Sequence, residues 1–182
     1  MSSNQKIIYV YDDFSTDVPL LMGCLYVSVI KGGESYSFEY DRNWLKTTGL
    51  SLSLDPELMP YAGRQYPSDK NIFGLFADAS PDRWGRVLMN KRERILADKE
   101  GRKPNKLYDS DYLLGVYDET RMGGIRFKLD PNGPFLSDDQ ETAAPPWATL
   151  RTLEEASRHF ESDESGLAEK WLNQLIKPGS SL

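Results

Sequence analysis

The feature that most constrains this chain is a change of hydrophobic period partway along it. Through its first 54 residues the apolar side chains alternate, whereas from Phe73 to Leu96 they recur at about 3.6 residues. Lys6–Asp12, Gly23–Ile30 and Ser35–Tyr40 are rich in β-branched and aromatic residues, and Lys31-Gly-Gly-Glu34 between the last two reads as a hairpin turn. Asp41–Gly49 reads as a short helical turn ending on its glycine. Leu50-Ser-Leu-Ser-Leu54 alternates strictly and predicts a further strand. A small antiparallel sheet of at least four strands is expected to open the fold.

Beyond Phe73 the pattern turns helical. Ser80 is a good N-cap, Pro81 suits the first helical position and Asp82 suits the positive end of the dipole, so a helix is predicted from about 81 to 98. Its spacing groups Trp84, Leu88, Ile95 and Leu96, with Trp84 expected to pack on the sheet. Asp109–Gly115 looks like a capped short helix, and Gly123–Leu129 returns to strand chemistry after a glycine turn. Asn132-Gly-Pro134 and Pro145-Pro146 mark a linker, placed at 131–146. After it, 152–160 and 166–176 read as amphipathic helices, with Thr152 and Glu155 suited to a capping box.

Charge and cysteine content narrow the function classes. The net charge is −6, which lacks the broad basic footprint of a nucleic-acid binder, although residues 83–106 carry nine positive and three negative charges. Residues 131–182 carry four positive and nine negative charges. Phosphate contacts need only lysines and arginines on one face, but the basic stretch reads better as a solvated helix face. The chain has one cysteine, Cys24, and one histidine, His159, too few and too far apart for a metal set. Cys24 reads as a small buried hydrophobe, and the absence of a disulfide partner suits a reducing, cytoplasmic setting. No export signal and no membrane-spanning run is visible.

Asp78, Asp82 and Arg83 could form an acid/base group, but the helix dipole and local ion pairs explain them more simply. Arg121 and Arg126 beside Gly123-Gly124 could form a small anion site; glycine turns next to arginines are common enough that this reading ranks second. His159 reads as surface or core filling.

The order of three segments carries a resemblance. Leu50-Ser-Leu-Ser-Leu-Asp55, then Phe73-Gly-Leu-Phe-Ala-Asp-Ala-Ser-Pro-Asp-Arg-Trp-Gly-Arg86, then Tyr112-Leu-Leu-Gly-Val-Tyr-Asp-Glu-Thr-Arg-Met-Gly-Gly-Ile-Arg-Phe127 together resemble the HipA family of serine/threonine-protein kinase toxins. The resemblance implies an α+β fold. A small, barrel-like antiparallel sheet packed with helices would occupy 1–130, the linker 131–146, and 147–182 would be the helical start of a truncated kinase-like nucleotide lobe. Pro178-Gly-Ser-Ser-Leu182 resembles the entrance to the family's phosphate loop, which would make Gly179, Ser180 and Ser181 nucleotide-binding and Ser181 a site of autophosphorylation.

The resemblance further implies ATP and Mg as cofactors of the full-length family. None is expected for this chain alone, because the groups that carry phosphoryl transfer would lie beyond Leu182. The chain is therefore expected to be a non-catalytic amino-terminal portion that covers the nucleotide lobe and contributes to contact with a HipB-like DNA-binding antitoxin. The rival expectation is a free-standing regulatory subunit of a split system that binds the remaining kinase core. Direct sequence-specific DNA binding is not expected of either.

Overall fold

The computed structural model describes residues 5–30, 32–49, 54–68, 72–116, 121 and 123–136, with the side chains of 48, 49, 84 and 88 left aside. Strands β1 (Gln5–Asp12), β2 (Leu20–Ile30) and β3 (Gly33–Tyr40) form an antiparallel meander. Two short strands complete the sheet: β4 (Arg64–Gln65) against β3 and β5 (Ile125–Lys128) against β1, giving the order β4-β3-β2-β1-β5.

The sheet is open, which corrects the expected barrel-like form. Its described edges are β4, two residues long, and β5, four residues long. Strands this short offer too little ladder to meet and close. Helices fill the inner face instead. Asp41 caps α1 (Arg42–Trp44), its Oδ1 accepting from the amides of Asn43 at 2.8 Å and Trp44 at 3.1 Å. A π-helical turn, Leu45–Gly49, continues it. There follow α2 (Gly74–Asp78), α3 (Arg83–Lys99) and α4 (Asp109–Gly115).

The core is a layer of aromatics between sheet and helices. Phe38 meets Tyr40 edge-on at 4.9 Å and Phe76 at 5.4 Å, Tyr40 stacks on Trp44 at 5.1 Å, and Phe76 reaches Phe127 at 6.4 Å. Ile8, Val10, Leu25 and Val27 supply the aliphatic part from β1 and β2. Fully burying side chains of this size contributes about 1.5–3 kcal/mol each relative to exposure.

The strand at Leu50–Leu54 falls for the most part outside the described residues, although Leu54 packs against the core. The long helix begins two residues later than its sequence suggests. Asp82 is the N-cap, its Oδ1 accepting from the Gly85 amide at 2.8 Å, while the Ser80 hydroxyl turns back to the Phe76 carbonyl at 2.8 Å. The face of α3 toward α4 mixes polar and apolar contacts: Arg86 pairs with Asp109 at 2.8 Å, Asn90 donates to the Tyr112 hydroxyl at 2.7 Å, Met89 lies against Gly115, and Ala97 is buried.

Candidate interaction surface

Alternation along the strands turns one set of side chains inward and the other out, so the sheet has a second, outer face. Register places Arg64, Glu39, Cys24, Tyr9 and Lys128 in one row across all five strands. Beside the row lie Tyr26, paired with Ile7, and Tyr11, paired with Arg126. The Arg64 guanidinium sits 3.7 Å from the Tyr26 ring centre, and Lys128 sits over both Tyr11 and Phe135 at 5.1 and 4.5 Å. Arg126 covers Phe135 at 3.9 Å. The outer face is thus a plane of aromatic rings topped by cations, each pairing a ring quadrupole with a charge.

Cys24 belongs to this outer row and is half-buried, so it is not the core hydrophobe its sequence setting suggests. Burial, and then the neighbouring Glu39 carboxylate, push its thiol above the ordinary value, which favours the protonated form over a reactive thiolate.

A second cluster fixes the hairpin to α4. Glu34, just past the β2–β3 turn, accepts from the Ser110 amide at 3.0 Å and the Ser110 hydroxyl at 2.7 Å, and also from the Tyr36 hydroxyl. Lys6 donates to the Ser110 hydroxyl at 3.2 Å and lies 3.6 Å from Asp111. Burial, followed by the Glu34 carboxylate, raises the Tyr36 phenol well above its usual value. Tyr108 and Lys106 both donate to the Gly32 carbonyl, at 3.1 and 3.4 Å. The hairpin tip and the start of α4 are therefore one rigid unit, with Val29 and Ile30 exposed beside it.

The buried ionisable side chains serve the fold. Asp55 accepts from the amides of Glu57 and Leu75 at 2.8 and 2.7 Å, holding the 55–58 turn against the start of α2. The Gln65 amide group pairs with both backbone groups of Met59, at 2.8 and 2.9 Å, in a loop that leaves Met59, Tyr61 and Tyr66 exposed. Arg121 donates to the carbonyls of Ala79, Leu113 and Val116 at 2.8–3.0 Å and lies over the Phe127 ring.

Arg121 and Arg126 therefore do not converge on an anion: Arg121 is buried among carbonyls, and Arg126 lies 3.9 Å from Asp13 and over Phe135. Asp82 caps α3, while Asp78 and Arg83 are exposed. Within the basic stretch, Arg86 pairs with Asp109, and Arg102 with Glu93 and Glu100. Glu93 also accepts from the Asn105 amide at 2.7 Å; the Arg102 hydrogen bond and then this amide hold its carboxyl below the usual range.

Gly179, Ser180 and Ser181, the helices predicted at 152–160 and 166–176, and His159 lie outside the described residues. Among the described residues there is no cluster of metal-ligating side chains, and no helix is long and apolar enough to cross a membrane. Asp12, Glu34 and Arg121 were not legible as anchors in the sequence. Asp12 alone had a signal, since it continues the inward phase of Ile8 and Val10.

Comparison with known proteins gives one match. Residues 26–103, from the middle of β2 to the loop after α3, fit the family model described as the HipA N-terminal domain. Neither the curated proteins nor the solved structures yielded a match.

Proposed function

From the premise that residues 26–103 are a region of the HipA N-terminal domain family, we propose that this chain is the non-catalytic amino-terminal portion of a HipA-like serine/threonine-protein kinase toxin. In this reading it covers the nucleotide lobe and contributes to contact with a DNA-binding antitoxin. The observation that carries the reading is the family match itself. Two features support it. The buried carboxylates and Arg121 are engaged in holding turns and helix ends, and the outer sheet face offers rings and cations suited to a protein surface. Gly179, Ser180 and Ser181 would begin the phosphate loop, with Ser181 open to phosphorylation by the kinase, and ATP and Mg would act at the lobe that follows.

A second reading is favoured by one observation: the described residues enclose a core of their own around Phe38, Trp44, Phe76 and Phe127. Such a unit could act as a separate regulatory chain. Titrating the purified chain into the matching kinase core, with binding and phosphoryl transfer both measured, separates the two. Binding that leaves the core's activity unchanged or raises it supports the first reading, and inhibition in trans supports the second. Phosphoryl transfer by the purified 182-residue chain alone would sink both.

A further inference from the structure

The outer face of the sheet carries a cation near each edge and open rings as well as covered ones. Arg64 on β4 lies over the Tyr26 ring at 3.7 Å, and Lys128 on β5 lies over the Tyr11 ring at 5.1 Å. The two cations stand in one row, four strand gaps apart, a span of about 19 Å. Neither forms an ion pair with a described carboxylate, although Glu39 is the neighbour of Arg64 in the row. Tyr9, the neighbour of Lys128, is partly exposed and makes no ring contact among the described residues. Tyr66, one residue past β4 and on the parity of Arg64, likewise makes none and is 65% exposed.

We propose that this face binds single-stranded nucleic acid, a base stacking on Tyr9 while Lys128 and Arg64 hold phosphates on either side of it. Every base has a π-face, so a tyrosine platform accepts any of them and the binding is sequence-independent. The Arg64 guanidinium, stacked on Tyr26, offers a second platform, because bases stack on arginine planes as they do on rings. The open rings select this occupant. An acidic peptide would use the cations and leave Tyr9 and Tyr66 without a role, and a duplex keeps its bases inside the stack. The net charge of −6 does not oppose it, since residues 131–182 carry nine negative and four positive charges and the rest of the chain is close to neutral. Charges more than about 10 Å from the face are largely screened at moderate salt, so its own cations set the local field. The site goes beyond the kinase reading and does not rest on it.

Fluorescence anisotropy of labelled oligodeoxythymidine and oligouridine, titrated with the full chain at low salt, tests the proposal. At least one of the two is expected to bind, and the tighter names the source as DNA or RNA. Tyr9→Phe should match the parent, whereas Tyr9→Leu should weaken binding about tenfold. Arg64→Gln and Lys128→Gln should each flatten the slope of log affinity against log salt by about 0.7. Arg64 is exposed, so its variant keeps the test decisive should Tyr9→Leu lower stability. Absence of binding at low salt overturns the proposal, and so does a salt slope and affinity unchanged in all three variants. Duplex binding as tight as single-strand binding also overturns it. So does polyglutamate that displaces the oligonucleotide as well as an unlabelled oligonucleotide does, which would mark an acidic protein segment as the occupant.

Discussion

The Trp44 indole N–H donates to Asp12 Oδ2 across 2.8 Å in the buried layer between sheet and helices, tying the end of β1 to α1. The other carboxylate oxygen accepts from the amides of Phe14 and Ser15, each at 3.0 Å, and so shapes the turn that leaves the strand. A carboxylate with no exposed surface is tolerated because each of its oxygens has donors.

Burial alone would raise the Asp12 carboxyl, but these hydrogen bonds outweigh it and hold the group below the usual carboxylate range. A depressed folded-state value means that the stabilisation is present above the unfolded value and is lost as pH falls through the folded one. Asp12→Asn is expected to cost about 2 kcal/mol at neutral pH. It should also flatten the loss of stability below about pH 4. Urea denaturation at several pH values checks both, and an unchanged acid slope in Asp12→Asn would remove Asp12 from this role.

Arg121 gathers carbonyls from the ends of two helices, Ala79 after α2 and Leu113 and Val116 in and after α4, beneath the Phe127 ring. The guanidinium fork reaches three acceptors from one side chain, which a lysine ammonium cannot reproduce. Arg121→Lys is therefore expected to destabilise by about 2 kcal/mol and Arg121→Met by about 3 kcal/mol, through carbonyls left without a donor. Thermal unfolding should show the same order, and a lysine variant as stable as the parent would refute it.

Much of the fold was legible in local pattern. Alternation placed β1 to β3, the Lys31–Glu34 turn placed the hairpin, and Asp109 and Gly115 bounded α4 correctly. What failed was information held by distant partners. Nothing in the period of two residues announces β4, which exists because Arg64 and Gln65 line up with Glu39 and Phe38. Ser80 has the chemistry of a cap, yet its hydroxyl is drawn to the Phe76 carbonyl and Asp82 takes the capping role. The period of α3 likewise does not announce that Arg86 meets Asp109 of α4. Of the interaction surface, the tyrosines were visible but their cations were not, because Arg64 and Lys128 reach the outer face only through strand order.

Gly23 and Gly124 both sit where a side chain would collide, and the obstacles differ. A Cβ on Gly23 would lie 2.3 Å from the Glu39 carbonyl oxygen and 2.6 Å from the buried Phe38 ring. Neither can withdraw without breaking the β2–β3 ladder beside the irregularity opposite Val10 and Tyr11. A Cβ on Gly124 would meet the Phe14 ring at 2.4 Å, but Phe14 is 47% exposed and can swing outward. Gly23→Ala is expected to cost about 3 kcal/mol or more, Gly124→Ala about 1 kcal/mol. Chemical denaturation of the two variants side by side decides this, and equal losses would contradict it.

Tyr40 supplies an alkaline counterpart to Asp12. Its ring stacks on Trp44, and burial, with a further contribution from the Asp55 carboxylate, pushes its phenol up to about 12. The folded value lies above the ordinary value of about 10, so the fold favours the neutral phenol. This stabilisation is complete below the unfolded value and is lost as pH rises from there through the folded one. Stability is therefore expected to fall between about pH 10 and 12, with tyrosinate absorbance from Tyr40 appearing together with unfolding. Tyr40→Phe keeps the ring stack and removes the titrating group, so it should match the parent at pH 7 and resist alkali better. Denaturation midpoints measured from pH 7 to 11 provide the check, and parallel curves for parent and variant would show that Tyr40 does not govern the alkaline limit.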